Sequence, residues 1–418
     1  MIRKPRSIQS IYLYLVLGNT LAASFIWGIN TIFLLDAGLS NFQAFLANAF
    51  FTFGMVIFEI PTGIIADTFG RRMSYLLGAI TLAASTVLYL LMWQVRGPFW
   101  GWAVSSVLIG LGFTFFSGAL EAWLVDALKA TNFKGNLDGV FAKGQIAGGV
   151  AMLTGSFLGG VIAQFTNLGV PYILRAAILL LNFTVAFFLM KDLGFTPQKS
   201  KKPLKEMKSI FSNSLRYGLK NPPVKWLMLA APFAGGVGIY VFYALQPYLL
   251  QLYGNEKAYS IAGLVAAIAA LAQIAGGFSA SGFRKFFKRR TSAIFFGTLV
   301  TTFSLISVSL THNIWIALIL IFIWGLMFAA LSPIRQAYIN GIIPSKQRAT
   351  VLSFDSLMSS SGGIVIQPAL GKAADIWSYS TSYLFAAFIQ AVVLPFIFLT
   401  RREKAKADFI NLKEKNNV

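Results

Sequence analysis

Glu59, Glu121, Arg335 and Asp355 stand inside stretches of sequence that hold almost no other charge. An ionised side chain within a long apolar helix is costly unless it is paired, protonated or wetted. Such residues are therefore functional candidates by default. Two chemistries are open to them. A carboxylate can take up and release a proton, and an acid and a base can form a pair that breaks and re-forms. Glu121, in 104-VSSVLIGLGFTFFSGALEAWLVDAL-128, is the sharpest case. It either pairs with Arg335 or carries a proton while Arg335 attracts an anionic group. A static ion pair is the structural alternative. Glu59, in 58-FEIPTG-63, lies beside Pro61, which permits a bend, and reads better as part of a structural pair in a gate than as a proton carrier. Asp355 lies within two turns of 344-PSKQR-348 and is assigned to the same kind of gate. Asp36, in 35-LDAGLSNFQ-43, reads as a solvated span end.

A second cluster is 63-GIIADTFGRR-72. Gly63 and Gly70 allow a tight turn and close approach of backbone. Asp67 with Arg71 and Arg72 can form an ion pair near a helix start, where the dipole favours an acid. The plain alternative is that both arginines are topology anchors.

Other chemistry is missing from the chain. It has no cysteine, and its one histidine is His312 in a polar turn, so thiolate and histidine metal sites are excluded. No acidic metal cluster, G-x-x-x-x-G-K-[ST], H-E-x-x-H or nucleophile elbow occurs. Neither an enzyme nor a cofactor is expected. A proton gradient is the expected energy source, because carboxylates can carry protons within a membrane. Asn182-Phe183-Thr184 matches a glycosylation sequon but lies inside an apolar run.

The elements that must position these residues are long and apolar. Of 418 residues, 56% are hydrophobic and only 12% are charged, against about 25% charged in soluble domains. Mean hydropathy is +0.69. The alternating ten-residue pattern of a membrane barrel is absent. Runs long enough to cross a bilayer recur from end to end, and the hydropathy predicts twelve helical spans. They cover 11–35, 41–66, 73–95, 99–128, 139–166, 170–190, 224–253, 258–283, 291–311, 314–342, 349–376 and 380–400. With the N-terminus placed in the cytoplasm, 30 Lys and Arg fall on the inner side. Only Arg96, Arg175, Lys257 and Lys372 fall on the outer side, a strong positive-inside asymmetry. The net charge of +21 is thereby assigned to an anionic inner leaflet rather than to nucleic acid. A multi-pass protein of the cytoplasmic membrane follows, with both termini inside, and a monomer is expected.

The long linker divides the chain. Leu204, Met207, Phe211, Leu215 and Leu219 recur at helical spacing among basic residues, which predicts an amphipathic helix on the inner membrane surface within 199–223. The organisation is then 1–190 as one six-helix bundle, 191–223 as linker, 224–400 as a second bundle and 401–418 as a basic surface tail. A shift of 215 residues lays the fourth span over the tenth: Gly110-Leu111 meets Gly325-Leu326, Ser117 meets Ser332, and Trp123 meets Tyr338. Arg335 then falls on Leu120, one position from Glu121.

Two six-helix halves, a basic central loop and G-x-x-x-D-x-x-G-R-R between spans two and three resemble the major facilitator superfamily over essentially the whole chain. Within it the chain looks most like the bacterial twelve-span drug:proton antiporters. The fifth-span signature G-P-x-x-G-G reads 155-GSFLGG-160 here, with Ser156 in place of proline, and the fourth span lacks the arginine of that group. The resemblance implies an all-α fold of two pseudo-symmetric bundles and alternating access around a midplane cavity. It also implies a cytoplasmic latch made by Gly63, Asp67, Gly70, Arg71 and Arg72, with Asp126 as the partner acid. Spans 1, 4, 7 and 10 would line the cavity, which makes Phe25, Trp27, Phe116, Trp123, Tyr240, Tyr243, Gln246, Trp324 and Tyr338 candidates for its wall. An aromatic wall with few polar groups suits amphipathic small molecules. Glycines in spans five and eleven are expected at the interface between halves. The expected activity is proton-coupled export of such compounds. Uptake of a sugar or organic anion anchored by Arg335 is the alternative, and a non-transporting membrane sensor is the alternative of another class.

Overall fold

The computed structural model describes residues 4–197 and 220–410. The amphipathic helix expected in the linker lies, up to residue 219, outside these. Among the described residues the chain is helical, and its only ladder pairing is an isolated bridge between Arg289 and Phe409. The helices in chain order are α1 (Pro5–Trp27), α2 (Asn30–Asp36), α3 (Asn41–Phe69), α4 (Arg71–Gln94), α5 (Phe99–Phe116), α6 (Ala119–Ala130), α7 (Leu137–Phe165) and α8 (Val170–Leu189). They continue as α9 (Pro222–Tyr253), α10 (Tyr259–Lys285), α11 (Arg290–Leu310), α12 (Ile314–Ile342), α13 (Ser345–Ile376), α14 (Tyr379–Ala391) and α15 (Val393–Arg402). Among the described residues eleven spans are long and apolar enough to cross a membrane, with α5–α6 and α14–α15 each counted as one. The remaining span, α13, is 32 residues long and the most polar of the set.

Three spans expected to be continuous are broken. The first is interrupted between Trp27 and Asn30. The fourth breaks at Ser117-Gly118, where Gly118 has φ +65°. Left-handed backbone of that kind is open to glycine at little cost. The twelfth breaks at Val392. Just beyond it Pro395 has no N–H for the carbonyl four residues earlier.

Contacts divide the chain into two units. The first holds α1, α2, α3 from Phe50 onward, α4 to α8, and α10 up to Ala267. The second holds residues 40–49, α9, the rest of α10, and α11 to α15. In the first, α1 packs most extensively on α7, and in the second α9 on α13. Glycines of spans five and eleven serve these pairings: a side chain at Gly159 would strike the carbonyl of Phe25, and one at Gly362 would strike the carbonyl of Pro232. Two others meet helices of the opposite sequence half, as expected: Gly160 lies against Gly263 of α10, and Gly371 against Phe45 of α3.

Up to residue 410, the segment after α15 is docked on the second unit. Asp408 is 1% exposed and accepts the backbone N–H of Thr291 at 2.8 Å and its hydroxyl at 2.9 Å. Arg290 donates to the carbonyl of Ala407 at 2.6 Å. The first turn of α11 has backbone N–H groups with no partner inside the helix. Asp408 caps one of them from the far end of the sequence.

Candidate functional site

Glu121 stands in the first turn of α6, because the fourth span breaks three residues before it. A helix start inside a membrane span presents unpaired N–H groups and the positive end of the dipole, which favour an ionised carboxylate there. The break also positions the second acid: Ser117, at its edge, donates to Glu59 Oε1 at 2.7 Å. Both Glu59 and Glu121 are exposed at the protein surface.

Glu121 lines a cavity of about 260 Å³ within the first unit, with Asn19, Thr20, Trp27, Phe113, Phe116 and Arg175 among its walls. Arg175 is the residue that sequence reasoning misplaced. Tallied with the outer-side charges, it instead lies more than a turn inside α8 and is 2% exposed. Its Nε donates to Thr86 Oγ1 at 3.1 Å, and its guanidinium stands 5.7 Å from the Phe113 ring centre. The fourth span has no arginine, yet a buried cation from the sixth reaches the cavity that the fourth span helps to line. The signal was its depth from the helix start, which a charge count by side ignores. A polar network joins the same wall. Asn19 Oδ1 accepts from Tyr75 at 2.7 Å and from Asn182 at 2.8 Å. The sequon asparagine is fully buried there.

Arg335 is engaged within its own unit. Its two terminal nitrogens donate to the two carboxylate oxygens of Asp355, one at 2.5 Å, and the guanidinium also reaches the carbonyl of Leu227 at 3.2 Å. The partner of Arg335 is thus Asp355 on the next helix. Forked donors facing a carboxylate are the strongest arrangement open to this charge.

The cluster at 63–72 makes several contacts inside the first unit. Asp67 and Arg71 pair at 2.6 Å, one helical turn apart across the break at Gly70. Asp192, which sequence reasoning did not single out, accepts the backbone N–H of Arg72 at 2.9 Å. The Arg72 side chain donates to the carbonyl of Phe187 at 2.6 Å and lies 5.2 Å from the Phe187 ring centre. Gly70 has φ +106°, and a side chain there would strike the Asp192 carboxylate. The backbone carbonyl of Asp126, the partner acid implied by the resemblance, lies against Gly194, two residues beyond Asp192. Burial pushes the Asp192 carboxyl above the ordinary carboxylate value, opposed by its hydrogen bond and attraction to Arg72. Nothing in the sequence points to Asp192 except that it is the first acid after the sixth span.

The aromatic candidates divide by role. Trp27 lines the Glu121 cavity together with Phe116. Phe25 is 7% exposed, with its backbone against Gly159. Trp123 is 2% exposed and donates to the carbonyl of Lys191 at 2.8 Å, a packing role in the core of the first unit. In the second unit Tyr240 is buried and shares a 2.5 Å hydrogen bond with Ser382. Gln246 is buried and donates to the carbonyl of Phe242 at 3.0 Å, and Tyr243 meets Phe242 edge-on at 5.4 Å. Trp324 stacks on Phe328 at 5.1 Å, and Tyr338 is fully buried in an apolar cluster. Asp36 accepts from the indole of Trp93 at 2.8 Å. Among the described residues no group of three or more potential metal ligands gathers.

A family model described as Major Facilitator Superfamily matches residues 13–329 and 257–417. An uncharacterized MFS-type transporter of Methanocaldococcus jannaschii is 21% identical over 376 residues, covering 89% of this chain and 92% of that protein. The multidrug resistance protein MdtG of Proteus mirabilis is 27% identical over 336 residues, 78% of each. Among solved structures, the nucleoside transporter NupG superposes with a TM-score of 0.78 at 10% identity, covering 94% of this chain and 99% of that one. A bacterial homolog of the human lysosomal transporter Spinster gives 0.71 at 17% identity, covering 97% and 98%. At these identities the structural likeness speaks for the fold alone.

Proposed function

Because this chain belongs to the major facilitator superfamily, we propose that it exports small amphipathic compounds by alternating access, in exchange for protons. The observation that carries the reading is Glu121: an exposed carboxylate at a helix start inside a span, on the wall of a cavity. A carboxylate on a cavity wall can take a proton from water on one side and give it up on the other. Its role in this reading is to hold the coupled proton while the cavity changes the side to which it opens.

The walls support an amphipathic cargo. Trp27, Phe113 and Phe116 offer aromatic faces, while Asn19 and Thr20 offer a few polar contacts. Relatives named as multidrug resistance proteins support export over uptake. An organic anion anchored by Arg335 is disfavoured, because Asp355 already neutralises that charge. The protein works in the cytoplasmic membrane, with both termini inside and as a monomer. The positive-inside asymmetry supports this orientation.

The test is transport in proteoliposomes holding the purified protein, with fluorescent amphipathic amines as probes and an imposed pH gradient. Export coupled to protons predicts movement that follows the gradient and stops when it is collapsed. Flux indifferent to the gradient removes the coupling. Binding without flux favours a membrane sensor.

A further inference from the structure

The second unit holds a cavity of its own, about 470 Å³ in volume, walled by α9, α11, α12, α13 and the α14–α15 pair. Three features of its wall converge. Arg335 and Asp355 form one side, and because they neutralise each other the cavity carries no unpaired charge from them. Gln390, from α14, is 3% exposed. Its Nε2 donates to Thr301 Oγ1 at 3.3 Å, while its Oε1 has no partner within the protein. The twelfth span also breaks beside Gln390, between Ala391 and Val393. Irregular backbone within a membrane span is tolerated where protein encloses it or where it lines a cavity. A buried acceptor without a donor is disfavoured, so a guest that supplies one gains more than the same guest without it.

We propose that this cavity is a ligand site for a small, neutral, largely apolar molecule carrying one N–H or O–H donor. The donor meets Gln390 Oε1, and the apolar body lies against Ile294, Val393 and Ile397, which are all buried in one cluster. The guest contacts helices on both sides of the break, so its occupancy braces the α14–α15 joint. The site uses neither Glu121 nor its cavity, and the inference stands apart from the transport reading.

The test is a thermal-shift titration of the purified protein in detergent with a matched pair of probes. One is p-bromophenol, which has a donor; the other is p-bromoanisole, in which a methyl group replaces the donor proton. Wild-type protein is expected to be stabilised saturably by the phenol, with the anisole about tenfold weaker. Gln390→Leu removes the acceptor at similar size and is expected to abolish the preference; Gln390→Met serves the same purpose should the leucine variant fail to fold. Val393→Phe fills the cavity and is expected to weaken both probes. Glu121→Gln is expected to bind both as wild type does, which keeps a failure here distinct from a failure of proton coupling. Equal affinity for the two probes in wild-type protein overturns the proposal. So does a preference for the phenol that survives in a folded Gln390 variant.

Discussion

Arg335 on α12 and Asp355 on α13 meet fork to fork, two donors on two acceptors, and close the charge of both within one helical unit. Asp355 is 7% exposed, so its carboxylate depends on that partner.

Arg335→Gln leaves the carboxylate buried without its counter-charge and is expected to destabilise the protein by about 3 kcal/mol, the lower end for a broken buried pair. Replacing both residues, Arg335→Gln with Asp355→Asn, removes the stranded charge and is expected to return to within about 1 kcal/mol of wild type. Thermal or denaturant unfolding in detergent measures both. A double variant as unstable as the single one would show that the pair is not the source of the effect.

Asp192 gives a prediction in pH. Its folded-state pKa lies above the ordinary value of 3.8, chiefly because of burial. The folded state therefore binds its proton more tightly than the unfolded chain does. The contribution of this group to stability is fully present below the unfolded value and is lost as pH rises through the folded one. Asp192→Asn keeps an oxygen for the Arg72 N–H and does not titrate. Melting temperatures from about pH 4 to about pH 8 should thus move in favour of the asparagine variant as pH rises. A gap that closes in the opposite direction contradicts the assignment.

The docked tail is tested at Asp408. Asp408→Ala removes the acceptor for the Thr291 N–H and hydroxyl and is expected to cost about 1–2 kcal/mol, the range of a lost helix cap. Asp408→Asn retains an acceptor and is expected to cost less. Unfolding curves for the two variants check the order. A free tail would make both neutral.

Much of the fold was legible because bilayer thickness sets the length of apolar runs, and lipid-facing helices leave little room for charge. Charge inside those runs also marked Glu59, Glu121, Arg335 and Asp355. What hydropathy does not carry is the rotation of each helix about its axis. The internal repeat put Arg335 near the register of Glu121, but the facing residue on the adjacent helix is Asp355. Asp192 lies 120 residues from Arg72, and only the folded path of the chain brings them together. The break before Glu121 had a local sign in Gly118, since glycine inside a helix weakens it. The depth of Arg175 within its span was likewise readable, and counting it with a loop concealed it.

The central claim is that Glu121 couples proton movement to cargo. The most direct measurement compares wild type and Glu121→Gln in proteoliposomes, reading initial flux of a fluorescent amphipathic amine with and without an imposed pH gradient. The account predicts that wild-type flux rises with the gradient. It also predicts that Glu121→Gln, folded and still able to bind the amine, shows the same low flux in both conditions. Gradient-driven flux at the wild-type rate in Glu121→Gln would contradict it.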